Sequence, residues 1–319
     1  MTAPTGAREA APAPIDNPSM AATYMIGALC ILGFQDALVK ITSTEISLWQ
    51  MQAIRATGNL LLLMMVSRYL FGRARPAPRR IWAVALRTTF LVATMVLFFG
   101  GIPVLALSEI AAGLYVFPLF VALLSALVLG ERVGPRRVTA IAIGFCGTLL
   151  ILKPGTAAFK WISLMPVAAG LCYAAMILTT RRLCHHEHPV TLAYGVAFGF
   201  VIVGVSGIAV ATAFGTAELA VKWPYLLTGW RPLEGWVFGL IVVTSFLNLT
   251  ANISLARAYQ TAESSWLAPF DYSYLIFATF WGYMIWGHTP DIWSFLGMFL
   301  IATAGCYVAW RERQLARAP

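Results

Sequence analysis

The sequence predicts an all-α integral membrane protein of ten transmembrane helices, arranged as two inverted five-helix repeats. Three observations carry this. Apolar residues make up 60% of the 319 positions, charged residues only 11%, and mean hydropathy is +0.77. A water-soluble domain carries about 25% charged residues to wet its surface, so most of this chain's surface must face lipid. The apolar residues also fall into runs near the ~20 residues that span a bilayer, and the arginines cluster between those runs.

Bounded by charge, proline or glycine, the runs cover residues 20–39, 46–67, 80–100, 106–129, 136–152, 161–181, 189–213, 235–257, 264–286 and 291–310. Residues 1–18, rich in Ala and Pro with a single arginine, read as a disordered cytoplasmic tail rather than a signal peptide. Residues 312–319 read as a second cytoplasmic tail. The longest connection, 214–234, holds Trp223, Tyr225 and Trp230, which suits a segment lying at the membrane interface.

Loop charge orients the spans. With the N-terminus in the cytoplasm, fifteen basic residues fall inside: Arg8, Arg68, Arg73, Arg75, Arg79, Arg80, Arg132, Arg136, Arg137, Arg181, Arg182, Arg257, Arg311, Arg313 and Arg317. Five fall outside: Lys40, Lys153, Lys160, Lys222 and Arg231. The bias places both termini in the cytoplasm, and removing one span would reverse every later loop. It also accounts for the +9 formal charge without nucleic acid.

The halves echo one another. Leu129-Gly130-Glu131 ends the fourth span and Trp286-Gly287-His288 ends the ninth. A glycine-bearing span follows each, with Gly144 and Gly147 in the fifth and Gly297 and Gly305 in the tenth. Five spans per half is an odd number, so the second half enters the membrane inverted. That arrangement in transporters puts a substrate site near the midplane between the halves. The predicted repeats are residues 19–155 and 156–311.

The stretch from Phe98 to Gly155 resembles the EamA type of the drug/metabolite transporter superfamily. The carrying features are Ala106-Leu107, Pro118-Leu119-Phe120, Leu129-Gly130-Glu131-Arg132, and Gly147 through Lys153-Pro154-Gly155. Ala256-Arg257-Ala258-Tyr259 and Ala268-Pro269-Phe270-Asp271-Tyr272 resemble the family's second half. His288 stands where the Gly-Glu motif would repeat its acid, which leaves that carboxylate's role without a counterpart. The resemblance implies a cavity lined by helices 1, 3, 4, 6, 8 and 9. It also implies secondary transport, with proton coupling or exchange, through the cytoplasmic (inner) membrane. Substrates of similar proteins include riboflavin, S-adenosylmethionine and amino acids. Efflux of a metabolite or drug on the same fold is the alternative reading, followed by an integral membrane enzyme.

Ionisable groups within a membrane are costly and so become candidates for function. Asp271 leads, because Pro269 breaks its helix and Tyr272 and Tyr274 flank it. Glu109 opens the fourth span, where a carboxylate also suits a helix N-terminus, and Glu263 opens the ninth. Asp36 reads either as a cavity contact or as a partner of Lys40 one turn on. Arg87 reads as an anion contact or a snorkelling side chain. Arg55, with Gln52 and Asn59 at helical spacing, reads as a structural brace.

Asn248 and Asn252 share a face of the eighth span. Tyr115, Trp266, Tyr272 and Tyr274 are the aromatics able to stack on a planar substrate. Pro118, Gly130, Glu131 and Pro269 are assigned structural roles. The histidines 185, 186 and 188 with Glu187 read as a solvated loop, not a metal site. The five scattered cysteines give no disulfide framework. No Walker-type motif appears, so neither ATP nor another cofactor is expected. The expected partners are lipid, a small-molecule substrate, a proton and, as an option, a second copy in a homodimer.

Overall fold

A computed structural model describes residues 18–71, 77–129, 135–156, 159–215, 221, 223–262 and 264–317. Residues 1–17 of the predicted 1–18 tail, Gly130, Glu131 and Glu263 lie outside these residues, as does the side chain of Trp266, while Pro18 begins the first helix. The described residues are helical with short connections and no strand. The helices are α1 (Pro18–Thr42), α2 (Leu48–Phe71), α3 (Ile81–Gly100), α4 (Leu107–Leu114), α5 (Phe117–Leu129), α6 (Pro135–Leu152) and α7 (Leu164–Leu183). There follow α8 (Pro189–Phe214), α9 (Pro224–Leu227), α10 (Gly235–Thr261), α11 (Ser264–Asp271), α12 (Ser273–Trp286) and α13 (Ile292–Arg317).

Helices occupy every stretch the apolar runs mark out. Six segments among the described residues are long and apolar enough to cross a membrane: Ser19–Thr42, Ile81–Gly100, Leu107–Val128, Trp161–Leu183, Pro189–Phe214 and Gly235–Thr261. Val138–Leu152 and Ile292–Val308 are shorter apolar helices. The last helix differs from expectation by continuing to Arg317, into the predicted tail.

The helices are apolar on the outside as well as the inside. Met65, Phe198, Phe246, Ile276 and Phe299 are all well exposed, a surface that water would not wet and lipid would cover. Local chemistry sets the ends. Pro189 occupies the first turn of α8, where its missing N–H costs nothing, and His188 Nδ1 accepts from the Val190 amide at 3.2 Å. Gly287 ends α12 in the left-handed conformation, φ 65°, which glycine adopts without steric cost.

The main packing partners are α1 with α10, α3 with α7, α2 with α8, and α6 with α13. Further contacts join α1 to α11 and α12, and α7 to α4 and α5. The buried core is centred on α1, α4 and α12, with Met25, Leu29, Ile110, Leu119, Leu267 and Ile301 almost fully enclosed.

The 223–231 segment packs against the start of α2. Trp223 and Trp230 are exposed, but Tyr225 is buried and its hydroxyl approaches Met51 Sδ at 3.8 Å. Three bonds dock the segment on the start of α2: Trp49 Nε1 to the Leu226 carbonyl at 2.7 Å, Ser47 Oγ to the Gly229 carbonyl at 2.7 Å, and Gln50 Nε2 to the Arg231 carbonyl at 2.9 Å.

Candidate functional site

Two helix breaks build the site. Between α4 and α5 the chain turns at Tyr115 and Val116, and Pro118 sits at the second position of α5. A proline there leaves the Leu114 carbonyl without its helical donor. Between α11 and α12 the chain turns at Tyr272, three residues after Pro269. The ladder tightens there to three-residue bonds, Tyr272 N to Pro269 O at 3.3 Å and Leu275 N to Tyr272 O at 3.1 Å.

The breaks meet. The Tyr115 and Tyr272 rings lie 5.7 Å apart at 62°, and Tyr115 stacks on Tyr274 at 5.2 Å and 13°. Phe117 extends the aromatic cluster to Tyr173 on α7, with ring centroids 4.9 Å apart. Such pairs add about 0.5–1.5 kcal/mol each beyond their buried area, which fixes the two turns against one another.

Asp271 sits at the second break, half-buried, on a cavity of about 240 Å³ shared with Tyr115, Phe117, Pro118, Arg181 and Tyr272. Its carboxylate accepts no hydrogen bond from the described residues, yet it lies within electrostatic reach of Tyr115, Tyr173 and Tyr259. Tyr173 is in turn within reach of Arg87. Arg87 Nε donates to Thr180 Oγ1 at 3.0 Å, while its Nη1 is buried with no partner among the described residues. Asp271 and Arg87 are thus both within electrostatic reach of Tyr173 without pairing with each other.

Asp36 is not paired with Lys40, which corrects that reading. Its Oδ2 accepts from the Tyr274 hydroxyl and its Oδ1 from Gln35 Nε2 at 2.9 Å. Gln35 Oε1 accepts from Asn248 Nδ2 at 2.9 Å. Lys40 turns elsewhere: Nζ donates to the Leu105 carbonyl at 2.6 Å and lies 5.0 Å over the Trp286 ring. A buried ammonium needs an acceptor, and the carbonyl ahead of α4 supplies it. Arg55 stands over Phe99 at 5.4 Å, within electrostatic reach of Asp36 but not ion-paired to it.

The other candidates lie apart. Glu109 is in the first turn of α4 and lines a second cavity, also about 240 Å³, with Lys153, Asp291 and Ser294. Lys153 Nζ contacts Asp291 Oδ2 at 2.7 Å there, and this pair with Ser294 holds the Asp291 carboxyl down at about 2. Asn252 is exposed and donates to the Asn248 carbonyl at 2.7 Å, within its own helix. Tyr272 presses its hydroxyl toward Gly305 on α13.

Among the described residues no cluster of His, Cys, Asp or Glu has the grouping to hold a metal. Glu187 instead accepts from the Arg79 and Arg80 amides at 3.0 and 2.7 Å. Sequence reasoning passed over Gln35, Tyr173 and Arg181. The signal for Gln35 was its place beside Asp36, and for Tyr173 a tyrosine within an apolar span.

Residues 19–153 match the EamA-like transporter family. Similar proteins include a riboflavin transporter of Rhizobium johnstonii, 30% identical over 202 residues, covering 63% of this chain and 61% of that one. The match thus spans about three fifths of the length of that relative. A pseudopaline exporter of Pseudomonas aeruginosa is 25% identical over 272 residues, covering 84% of this chain and 88% of that one. An S-adenosylmethionine uptake transporter of Rickettsia prowazekii is 19% identical over 298 residues, covering 92% and 95%. One crystal structure shares the fold with a TM-score of 0.58 at 16% identity, covering 95% of this chain and all of that one.

Proposed function

We propose that this EamA-type chain is a secondary transporter, carrying a small organic metabolite across the cytoplasmic membrane by alternating access. The carrying observation is the meeting of two broken helices at Tyr115 and Tyr272, beside a cavity that holds Asp271. Broken helices at a repeat interface are where transporters bind substrate. We take the repeats as residues 19–155 and 156–311, each with five spans, and both termini as cytoplasmic.

The packing supports the two-repeat reading. Exchange each helix for its counterpart five spans on, and the contacts map onto one another. The α1–α10 pairing becomes α7–α3, the contacts of α1 with α11 and α12 become those of α7 with α4 and α5, and α2–α8 and α6–α13 map onto themselves. Rocking one repeat against the other would then open the central site to each side in turn. The scheme covers uptake and export alike. The names of the relatives point to riboflavin or S-adenosylmethionine as first substrates to try, with amino acids next, and nothing in the fold excludes a homodimer.

The test is counterflow in proteoliposomes loaded with unlabelled riboflavin, S-adenosylmethionine or an amino-acid mixture. Saturable entry of the labelled compound is expected, reduced at least tenfold by Asp271→Asn. Uptake that never saturates, or that ignores this substitution, would remove the central-site reading. Chemical conversion without flux would favour an enzyme instead.

A further inference from the structure

We propose that Asp36 is the proton-carrying group of this transporter, acting as a switch between Tyr274 and Arg55; the proposal rests on the transport reading above. Asp36 is 6% exposed, six residues before the end of α1 and so about 9 Å inside it at 1.5 Å per residue. Arg55 is seven residues into α2, about 10 Å from its start. Across the short 43–47 turn the two charges therefore sit at one depth. They feel one another yet form no ion pair, and Arg55 Nη1 is buried with no hydrogen-bond partner among the described residues.

The hydrogen bonds set what a proton would do. An ionised carboxylate only accepts, and Asp36 accepts at both oxygens, from Tyr274 and from Gln35. Its negative charge also balances that of Arg55. When an O–H bond forms on Asp36, the protonated oxygen becomes a donor, so the contact it held, with Tyr274 or with Gln35, has to rearrange. The cluster simultaneously gains a net positive charge, and a buried, unbalanced guanidinium is costly. Both changes push the same way, toward a rearranged cluster. Losing the proton to water on the other side restores the first arrangement.

The path to the substrate site is short. Tyr274 stacks on Tyr115, which lines the Asp271 cavity, so a shift of the Tyr274 ring reaches the break between α4 and α5 directly. Outward, Lys40 lies one turn beyond Asp36, bonded to the Leu105 carbonyl and set over Trp286, which closes that end in this state. The groups facing Asp36 are Arg55 from α2, Asn248 from α10 through Gln35, and Tyr274 from α12. Asp271 at the end of α11, the other helix packed on α1, belongs to the aromatic cluster and not to this one.

Two measurements on the full chain test the switch. Infrared difference spectra of the purified protein between pH 5 and pH 9 are expected to show a carboxylic-acid band that Asp36→Asn removes. A pH-difference spectrum that Asp36→Asn leaves unchanged overturns the proposal, whether or not any flux is found. In proteoliposomes, a two-unit pH gradient with one proton per substrate supports about 100-fold accumulation of riboflavin. Asp36→Asn is expected to lose that accumulation and retain counterflow exchange, which shows that the variant is folded. Accumulation retained in Asp36→Asn sinks the proposal. Failure of every variant and the wild type to move riboflavin, with the band intact, counts against riboflavin transport and leaves the protonation assignment standing.

Discussion

Replacing Gly147 or Gly297 with alanine tests the seam between α6 and α13. These glycines face each other so closely that a Cβ on Gly147 would lie 2.7 Å from the Gly297 carbonyl oxygen, and one on Gly297 would lie 2.5 Å from the Gly147 oxygen. An ordinary contact is at least 3.4 Å, so the helices must part by about 0.7–0.9 Å. The obstacle in each case is backbone, which cannot rotate away. A gap of 0.5–1 Å forfeits a quarter to a half of each atom pair's attraction across the seam. Overpacking of this kind costs about 1–3 kcal/mol, and the gain in helix propensity on leaving glycine returns about 0.5–1 kcal/mol.

The net expectation is destabilisation by about 1–2 kcal/mol for either single variant. One separation accommodates both methyl groups, so the double variant should cost little more than one single, well short of the sum. Thermal unfolding in detergent, followed by tryptophan fluorescence, supplies the readout. Gly27→Ala and Gly239→Ala are the controls, since a Cβ at either meets nothing within 4 Å. They should leave stability unchanged or raise it slightly. If Gly147→Ala and Gly297→Ala melt with these controls, or if their effects add in full, the close approach of α6 to α13 is wrong.

Two further outcomes concern contacts at helix ends. Gln50→Ala removes both bonds to the Arg231 backbone, at 2.9 and 3.1 Å, from a site with no exposure. The buried groups left behind should cost about 1–3 kcal/mol and speed chymotrypsin cleavage after the exposed Trp230 in limited proteolysis. Unchanged cleavage would show that Gln50 does not hold the segment. For Asp291, the folded pKa of about 2 lies below the ordinary 3.8, so its stabilisation is complete above about pH 4 and vanishes as pH falls through about 2. Asp291→Asn should therefore flatten the acid limb of a pH–stability curve below pH 4 and leave its slope between pH 5 and 8 unchanged. A changed slope in the neutral range would refute the assignment.

The positions of the helices were legible because lipid imposes one rule on every span, an apolar run of sufficient length. Pro269 marked one break correctly, and Pro118 marked the other only as a structural residue. What was not legible lies in contacts between distant segments. Tyr274 is 238 positions from Asp36, and nothing local pairs them. Lys40 lies one turn from Asp36, and helical spacing made them look like partners. Spacing says which side chains are within reach, though, and not which acceptor is better placed, and the Leu105 carbonyl and the Trp286 ring hold Lys40 instead. Glu109 and Asp271 were grouped by charge and separated by position, onto two different cavities.

The breaks also explain the small residues around them. A carbonyl without its helical donor cannot be left facing lipid, so a neighbouring backbone has to cover it. At the first break α7 does so through Gly170, where a Cβ would lie 2.9 Å from the Leu114 oxygen and 3.2 Å from that of Gly113. Pro166, one turn earlier on α7, fills the space beside Gly113 itself. Beyond the second break α1 approaches α12 through Gly33, where a Cβ would come within 3.2–3.3 Å of Phe277. Small residues that admit close helix approach are the usual device of membrane interfaces. Here Gly170 sits opposite the point where the first ladder is interrupted. A larger side chain at Gly170 would separate α7 from the Leu114 carbonyl and open the first break to lipid. The requirement that shields the interrupted backbone therefore draws α7 to the first break, while the close approach at Gly33 sets α1 against α12 and brings Asp36 within reach of Tyr274.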